Sequence, residues 1–269
     1  YIEPRGSQVV WNESILTEGV NDPGIFKAVF LAGGPGSGKS YVAQQLFGIP
    51  EKVNVSKTGL KMVNQDQELE YLLKKFYGHD STVDYLDIQA YPPELFKQLT
   101  DPDFDDYSGL RGSAKYLSQK RMGQYLKGRL GVIIDGTGHK FNSVKKRRKE
   151  LIDMGYDTYM VFVTTSLEVA QERNESRPRR LPEDTVEKYW KEVQNNLAFF
   201  QGLFGGSNFL IVDNNKHLDP DTAKKKFNML INKGLNGFLN KPLKSKIAKK
   251  WIKQQNLVPK KDLKQMLKK

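Results

Sequence analysis

Short apolar runs alternate with stretches of helical periodicity along most of the chain. The runs occupy residues 27–32, 60–64, 131–135, 156–163 and 209–212. Apolar runs of this length are typical of buried strands. Because strands that alternate with helices connect by right-handed crossovers, the pattern predicts a parallel sheet of about five strands that is covered on both faces.

The segments between the runs predict helices, since their apolar residues recur at helical spacing. They cover residues 41–47, 66–76, 113–127, 143–154, 167–176, 183–200 and 221–231. Ser143 is expected to cap its helix, because a serine side chain can accept a hydrogen bond from a free backbone N–H group. Residues 78–112 hold three prolines and an acidic patch, which predicts an insertion with at most one short helix. The fold class that follows is an α/β three-layer sandwich.

The first predicted strand leads directly into a glycine-rich turn with the sequence Gly33-Gly-Pro-Gly-Ser-Gly-Lys-Ser40. The turn satisfies the P-loop motif G-x-x-x-x-G-K-[ST], with a strand before it and a helix after it as the motif requires. Its glycines let successive backbone N–H groups turn toward phosphate oxygens, and the helix N-terminus adds its dipole. The motif predicts a P-loop NTPase fold that binds ATP or GTP together with Mg²⁺.

The residues around this turn receive predicted roles. Lys39 supplies a positive charge to the β and γ phosphates, and the Ser40 hydroxyl can ligate Mg²⁺. The predicted nucleotide-binding residues are Gly33, Gly34, Pro35, Gly36, Ser37, Gly38, Lys39, Ser40 and Tyr41, together with Arg173 from a later helix. The alternative is a glycine-rich turn followed by an ordinary lysine at a helix start.

Two aspartates follow predicted strands. Asp66 comes after the second strand, and Asp135 ends the third. Ligands of open α/β sheets bind beyond the carboxyl ends of the strands, so both side chains are candidates for the site. A carboxylate there could hold Mg²⁺, as we expect for Asp135 with Ser40, or accept a proton from an acceptor hydroxyl. The alternative for each is a capping or loop-stabilising aspartate.

A cluster of arginines follows the predicted helix at residues 167–176. Arg173 and Arg177 share a helix face, and Pro178 separates them from Arg179 and Arg180. Such a segment predicts a lid whose arginines, Arg177 and Arg179 above all, stabilise charge on a phosphoryl group during transfer. A solvated basic helix end is the alternative.

The net charge of +12 is concentrated at the C-terminal end. Residues 241–269 hold eleven lysines and one acid, which amounts to +10 and leaves +2 for the first 240 residues. Apolar residues among these lysines predict two helices, at 244–255 and 260–268, docked on the body or on each other. Such a tail could contact nucleic-acid phosphates, whereas a solubilising face or an acidic protein partner are the alternatives. The basic run at 145–149 is interpreted mainly as a solvated face, with nucleic-acid contact as the alternative.

The composition argues against several kinds of functional site and indicates a cellular location. The chain has no cysteine, which excludes disulfides and thiolate chemistry and fits a reducing cytosol. Its three histidines lie far apart in sequence, which argues against a histidine-rich metal centre. No apolar run approaches the roughly 18–20 residues of a membrane span. The expected location is therefore cytoplasmic, with no membrane partner.

These features resemble the P-loop kinases of the zeta-toxin and polynucleotide-kinase type. The resemblance covers residues 26–213 and rests on the P-loop, on Asn64-Gln-Asp66, on Asp135-Gly-Thr137 and on the arginine cluster. In polynucleotide kinases the segment that matches Asn64-Gln-Asp66 carries the catalytic base, which implies that role for Asp66. Leu69 stands where those kinases have an arginine that grips the acceptor phosphate, which argues against their standard 5′-hydroxyl acceptor.

The resemblance also implies how the chain is divided. In such kinases the segment between the second and third strands grips the acceptor; here Arg111 and Lys115 are its candidate anion binders. We expect a lead-in at 1–25, a kinase-like domain at 26–235 with an acceptor-side insertion at 78–112 and a lid at 173–183, and a Lys-rich helical tail at 236–269. The Lys-rich tail adds a similarity to phage-encoded members, which would place the protein in the host cytoplasm or the virion.

Three hypotheses remain open at this point. The first is an ATP-dependent phosphotransferase that uses Lys39, Asp66, Asp135, Arg177 and Arg179. Its acceptor would be a hydroxyl of a nucleic acid, a nucleotide or a nucleotide sugar. The second is an ATP-binding protein associated with nucleic acid and without a small acceptor. The third is a structural protein, for example of a phage particle, that keeps the fold with little activity.

Overall fold

The computed structural model describes residues 24–49, 55–56, 58–78, 84–100, 109–177, 179–216 and 219–256. Strands and helices alternate along these residues. In chain order they are β1 (Lys27–Ala32), α1 (Lys39–Phe47), β2 (Lys61–Val63), α2 (Gln65–Tyr77), α3 (Pro93–Thr100), α4 (Leu110–Lys127), β3 (Val132–Asp135), α5 (Phe141–Asp153), β4 (Asp157–Thr164), α6 (Leu167–Glu175), α7 (Glu183–Asn195), α8 (Leu197–Phe204), β5 (Phe209–Asp213), α9 (Pro220–Leu230), α10 (Asn236–Leu239) and α11 (Lys246–Asn256).

The strands form one five-stranded sheet in the order β2-β3-β1-β4-β5. Every neighbouring pair is parallel, which confirms the predicted parallel sheet. Strand β1 is central, with Leu31 opposite both Asp135 of β3 and Val161 of β4. The carboxyl ends of β1, β2 and β3 therefore lie side by side at one edge, where the turns that follow them can build a common site.

The side chains of β1 show why the sheet is covered on both faces. Successive strand residues point to opposite faces. Val29 and Leu31 pack into a core with α1 and α9, whereas Ala28 and Phe30 pack into a second core with α4, α5 and α8. Burial of this whole strand explains its apolar sequence without polar alternation. The result is the predicted three-layer sandwich.

The predicted insertion forms a third, smaller core beside the sheet. Leu69 and Leu73 of α2 pack there with Ile88, Leu99 and Ala114. Its described part holds α3, one short helix as predicted, and a single 3-10 turn at Ile88–Ala90. Helix α4 begins at Leu110, earlier than the expected residue 113. Residues 79–83 and 101–108 of the insertion lie outside the described residues.

Two helix predictions are wrong. Helix α5 begins at Phe141 with Lys140 at its N-cap and no capping side chain, so Ser143 is not its cap. Phe141 enters the helix because its ring packs on Phe200, 5.4 Å away. The helix expected at 183–200 is divided into α7 and α8 at Asn196. The Asn196 side-chain amide donates to the carbonyls of Gly138 and His139, 3.0 and 2.7 Å away, and this contact fixes the break.

The C-terminal region is helical and packs against the body. Helix α11 places Ala248, fully buried, and Trp251 against the second core, where the Trp251 ring meets the edge of Phe26 at 5.5 Å. The first tail helix is therefore close to its expected range of 244–255 and docked on the body. The second, expected at 260–268, lies outside the described residues, as does the lead-in up to residue 23. Among the described helices, none is both long and apolar enough to cross a membrane.

Candidate functional site

The glycine-rich turn between β1 and α1 has a backbone that only glycine can adopt. Gly36 and Gly38 have φ angles of +72° and +78°, in the left-handed region. A Cβ atom on Gly36 would lie 2.0 Å from the Ala170 carbonyl oxygen, and one on Gly38 would lie 2.4 Å from Asn214 Nδ2. The turn is thus wrapped closely by neighbouring backbone and side chains, as a cradle of backbone N–H groups requires.

Lys39 opens α1, and its ammonium group folds back over the turn. Lys39 Nζ donates to the carbonyl oxygens of Gly33 and Gly34, at 2.7 and 3.3 Å. Burial lowers the pKa of this ammonium, against the opposing influence of the Asp135 carboxylate, and Arg177 lowers it further. The cation therefore stands at the mouth of the cradle, where phosphate oxygens would replace its carbonyl partners.

Contacts from other strands hold the cradle in place. The Gly33 N–H donates to the Thr137 carbonyl at 3.0 Å, which ties the turn to the segment after β3. Asn214 Nδ2 donates to the Ser37 carbonyl at 2.9 Å from the end of β5. Asn214 is not among the predicted site residues. Its position directly after a predicted strand was the available signal, since side chains there reach the carboxyl edge of the sheet.

Asp135 ends β3 beside the cradle, and its two carboxylate oxygens have different environments. Asn64 Nδ2 donates to Asp135 Oδ2 at 2.8 Å. Asp135 Oδ1 is buried, and among the described residues it has no hydrogen-bond partner. Burial raises the pKa of this carboxyl group to about 6, although Lys39 opposes the shift. A buried carboxylate oxygen without a protein donor fits a divalent cation, for which oxygen ligands are preferred. Ser40, exposed in the first turn of α1, supplies the second predicted ligand.

Asp66 lies in the first turn of α2, and Asn64 sets its position. The Asn64 side chain caps this helix by accepting a hydrogen bond from the Asp66 N–H at 2.7 Å. Asn64 therefore bridges both predicted acids, which the sequence analysis missed although its place before a helix is typical of a cap. The Asp66 side chain is 57% exposed and pairs with Arg179 at 3.1 Å. Enclosure in the cleft raises the Asp66 pKa, but the guanidinium groups of Arg179 and Arg111 outweigh it and lower the pKa overall.

The predicted lid closes over this cleft from the end of α6. Arg180 reaches across to the insertion, where it donates to Gln89 Oε1 through Nε at 3.1 Å and Nη2 at 2.7 Å. Burial lowers the pKa of Arg177, and the neighbouring guanidinium of Arg179 lowers it further while Asp66 opposes it. Arg177 and Arg179 are therefore close enough to Asp66 to interact electrostatically with its carboxylate. Pro178 itself lies outside the described residues.

A pocket of about 300 Å³ opens next to the cradle. It is walled by α1, α6 and α9, and its lining residues are Gly38, Tyr41, Arg173, Ser176, Arg177, Asn214, Lys216, Lys226 and Phe227. Tyr41 packs edge-on against Phe227 at 5.7 Å. Arg173 Nη1 is buried and has no hydrogen-bond partner among the described residues. This volume is at the lower end of the range for small-ligand pockets.

The structure brings the predicted residues together at one edge of the sheet. The charges of Asp135, Asp66 and Arg177 act on Lys39, the charge of Arg179 acts on Asp66 and Arg177, and Tyr41 and Arg173 line the adjoining pocket. Their roles in binding and catalysis stay predictions. A cleft that joins a phosphate cradle, two acids and a cluster of guanidinium groups is suited chemically to moving a phosphoryl group.

Several solved structures are similar to this chain at low sequence identity. Three solved structures have 15% identity to the chain. A putative kinase from Chloroflexus aurantiacus covers 76% of this chain and 97% of its own, with a TM-score of 0.45. A gluconokinase from Sinorhizobium meliloti covers 86% and 98%, with a TM-score of 0.45. The PezAT chromosomal toxin-antitoxin system of Streptococcus pneumoniae covers 79% and 87%, with a TM-score of 0.46. No curated protein matches the sequence.

A family model gives the firmer comparison. It is described as an AAA domain and matches residues 29–199, which is more than half of the chain. The matched region includes the cradle, both acids, the insertion and the lid. The chain therefore belongs to this AAA domain family and has a P-loop kinase-like domain, built on its five-stranded parallel sheet.

Proposed function

We propose that the protein is an ATP- or GTP-dependent phosphotransferase that moves the γ-phosphate to a hydroxyl group of a nucleic acid, a nucleotide or a nucleotide sugar. The observation that carries the proposal is the joint placement of Lys39, Asp135 and Asp66 in one cleft, beneath Arg177 and Arg179 of the lid. A protein that only bound nucleotide would need the cradle and Lys39. It would not need a second carboxylate held beside the lid arginines.

The nucleotide side of the cleft binds the phosphates and the base. Backbone N–H groups of the turn and the Lys39 ammonium would contact the β and γ phosphates. The pocket lined by Tyr41, Arg173 and Phe227 adjoins the turn and would hold the rest of the nucleotide. Arg173 Nη1, without a partner among the described residues, is placed beside Gly38 to donate to the nucleotide.

Ser40 and Asp135 would hold Mg²⁺, with Asp135 Oδ1 as the carboxylate ligand. A bound Mg²⁺ neutralises charge on the phosphate oxygens. The chain itself prepares this position, because Asn64 donates to Asp135 Oδ2 and Oδ1 has no donor among the described residues. Ionised Asp135 is required for this role, so a pKa of about 6 keeps the site in its active form at neutral pH.

Asp66 would accept the proton of the acceptor hydroxyl. Arg179 holds Asp66 Oδ1, and no donor to Oδ2 is present among the described residues. The bond between the acceptor oxygen and the γ-phosphorus forms as the bond to the bridging oxygen breaks, and the hydroxyl proton passes to Asp66. The lowered pKa of Asp66 keeps it ionised before the step. Arg177 and Arg179 would stabilise the charge that spreads over the transferring oxygens.

The proposal is tested by following the γ-phosphate. Full-length protein is incubated with γ-labelled ATP and Mg²⁺ and with separate pools of oligonucleotides, nucleosides, nucleotides and nucleotide sugars. We expect the label to appear on one of these acceptors. Release of free phosphate alone, stimulated by DNA, would instead favour an ATPase associated with nucleic acid, and absence of any turnover would favour a structural protein.

A further inference from the structure

The lysines of α11 form a single row along the helix. Lys246, Lys249, Lys250 and Lys253 are spaced at i, i+3, i+4 and i+7, so they share one face. Ala248, Trp251 and Ile252 occupy the opposite face and pack into the core beneath. The row is called the lysine stripe below. Docking of the apolar face thus fixes which side of α11 meets solvent.

The lysine stripe has no charge compensation in the described part of the chain. All four side chains are exposed, α11 contains no acidic residue, and none of the four pairs with a carboxylate among the described residues. Exposed lysines elsewhere do pair, as Lys149 does with Asp153 and Lys191 with Glu187. An uncompensated row of this kind attracts polyanions.

The end of α5 lies beside the start of α11. Gly155, just past the end of α5, lies against the first turn of α11, since a Cβ on it would be 3.2 Å from the Ala248 nitrogen. Both helices also cover the same core of the sheet. On α5, Lys145 and Lys146 are exposed and have no carboxylate partner among the described residues, whereas Arg147 pairs with Glu150 at 3.4 Å. The carboxyl end of α5 therefore adjoins α11, whereas Lys145 and Lys146 lie about 10–12 Å before that end of the helix.

The lysine stripe is remote from the phosphate cradle. Trp251 of α11 packs on Phe26, which precedes β1, whereas the cradle follows Ala32 at the other end of that strand. A six-residue strand is about 20 Å long. A polyanion on the lysine stripe would therefore not occupy the nucleotide cleft.

We propose that the lysine stripe is a second binding site that holds the phosphate backbone of a nucleic acid without reading its sequence. Lysines are point charges that suit phosphates, and they carry no pattern that would distinguish base edges. Ala248 is buried and Trp251 and Ile252 pack against the second core, so of the apolar residues of α11 Ile247 is the exposed one, and the helix lacks the broad free apolar face that membrane-surface helices insert into lipid. The site goes beyond the proposed transfer reaction and would tether the enzyme to nucleic acid.

The test measures binding of the full chain to fluorescent single- and double-stranded DNA of about 20 nucleotides at several salt concentrations. For the wild type, affinity should fall about 10²-fold or more between about 50 and 200 mM salt, since each phosphate contact contributes about 0.9 to the logarithmic slope. The quadruple variant K246Q/K249Q/K250Q/K253Q should reduce that slope by about 3–4, and K249Q/K250Q by about 2. Gln keeps the helix propensity, so the helix should persist.

A matched control removes the same charge elsewhere. Lys74, Lys120, Lys224 and Lys225 are exposed on α2, α4 and α9, and their replacement by Gln should leave most of the affinity. Equal losses in both variants would show that only net charge matters and would overturn the proposal. Absence of salt-dependent DNA binding by the wild type, or binding to anionic phospholipid vesicles alone, would overturn it as well.

The result is independent of the proposed reaction. Lys39→Ala, which acts at the cradle, should bind DNA like the wild type, and the quadruple variant should bind ATP like the wild type. Loss of DNA binding in Lys39→Ala would place the nucleic acid in the cleft and not on the stripe. Failure of phosphate transfer in all proteins, with stripe-dependent DNA binding intact, would remove the proposed function and leave this site standing.

Discussion

Lys39 stands among two carboxylates and an arginine, and this balance explains how a buried lysine can act on phosphates. Burial lowers the pKa of its ammonium group, while Asp135 and Asp66 raise it. The two loop carbonyls that it contacts are weaker partners than phosphate oxygens would be, because hydrogen bonds between charged groups are stronger. Replacement of the two carbonyls by phosphate oxygens would therefore contribute favourably to the free energy of nucleotide binding.

Lys39→Ala should weaken ATP binding and reduce turnover by about 10²-fold or more, since a preorganised positive charge is lost. The fold should persist, because the hydrogen bonds of the Lys39 side chain to described residues go to two carbonyls of the loop in front of it. Equilibrium binding of a fluorescent ATP analogue checks the first effect. Lys191→Ala, an exposed lysine paired with Glu187, serves as the control and should bind like the parent. Parent-like binding by Lys39→Ala would show that the turn is not a phosphate cradle.

Asp135 links stability to pH. Its pKa of about 6 exceeds the usual 3.8, so the folded chain holds this proton more tightly than the unfolded chain does. Ionised Asp135 therefore costs stability above pH 6, and the cost disappears as the pH falls toward 4. Asp135→Asn should stabilise the protein at pH 7.5 by about 1–3 kcal/mol, after allowance for partial solvation. The gain should shrink at acid pH, while transfer activity is lost.

Denaturant unfolding of parent and variant at neutral and acid pH measures this gain. The Asn side chain can still accept the hydrogen bond from Asn64, so the local geometry should survive. Asp153→Asn on the exposed end of α5 is the matched control and should change little. A destabilised Asp135→Asn at pH 7.5 would show that the charge is compensated in the folded protein.

At the scale of elements, the lid joins α6 to the insertion and to α2. Arg179 contacts the predicted base, whereas Arg180 contacts Gln89 and not Asp66. Two adjacent arginines thus have separate partners. Arg179 compensates the negative charge of Asp66 in the cleft, and Arg180 holds the lid against the insertion.

Arg179→Ala should raise the pKa of Asp66, because the cation that opposes the effect of burial is removed. Asp66 must be ionised to accept a proton, so the acid limb of the pH profile of kcat/KM should move to higher pH. Transfer should also slow, since a charge over the phosphoryl group is lost. Arg180→Ala is the matched control and should leave the acid limb in place. An unchanged acid limb in Arg179→Ala would show that this arginine does not control the pKa of the base.

Periodicity located each strand to within one residue, because burial on both faces leaves a short, uninterrupted apolar run. It missed the break at Asn196, since Leu197, Phe199 and Phe200 continue the apolar spacing and the cause is a contact with the distant Gly138. The cradle was readable because its chemistry lies within eight residues. The Asn64 and Asn214 contacts were not, because each joins segments separated by many residues.

At the scale of the whole molecule, the start of the Lys-rich segment does not mark the end of the packed cores. Most of the net positive charge lies from Lys241 onward, yet Phe238 and Leu239 pack into the first core and Trp251 into the second. Lys27, only 2% exposed, donates to the Lys241 carbonyl at 2.8 Å and pairs with Asp157. The tail up to Asn256 therefore contributes to the fold, and the division at residue 236 stays a prediction.

Truncation at two points tests this contribution. A chain that ends at residue 240 should unfold at lower temperature than one that ends at 256, because it uncovers apolar surface around Phe26 and removes a partner of Lys27. Loss of a fully buried tryptophan costs about 3–5 kcal/mol, and the partly buried Trp251 should contribute a share of this. Trp251→Ala in the full chain should reproduce much of the effect. Equal thermal stability of the two truncated chains would mean that α11 adds nothing to the fold.

The account as a whole depends on Asp66 being the base of a transfer reaction. The most direct measurement is single-turnover transfer of labelled γ-phosphate to the acceptor by the parent and by Asp66→Asn, with ATP binding measured in parallel. Asn keeps the size of the side chain but cannot take up the proton, so binding should persist while transfer falls by about 10²–10⁴-fold. Transfer at the rate of the parent would contradict the account and reduce Asp66 to a residue that supports the start of α2.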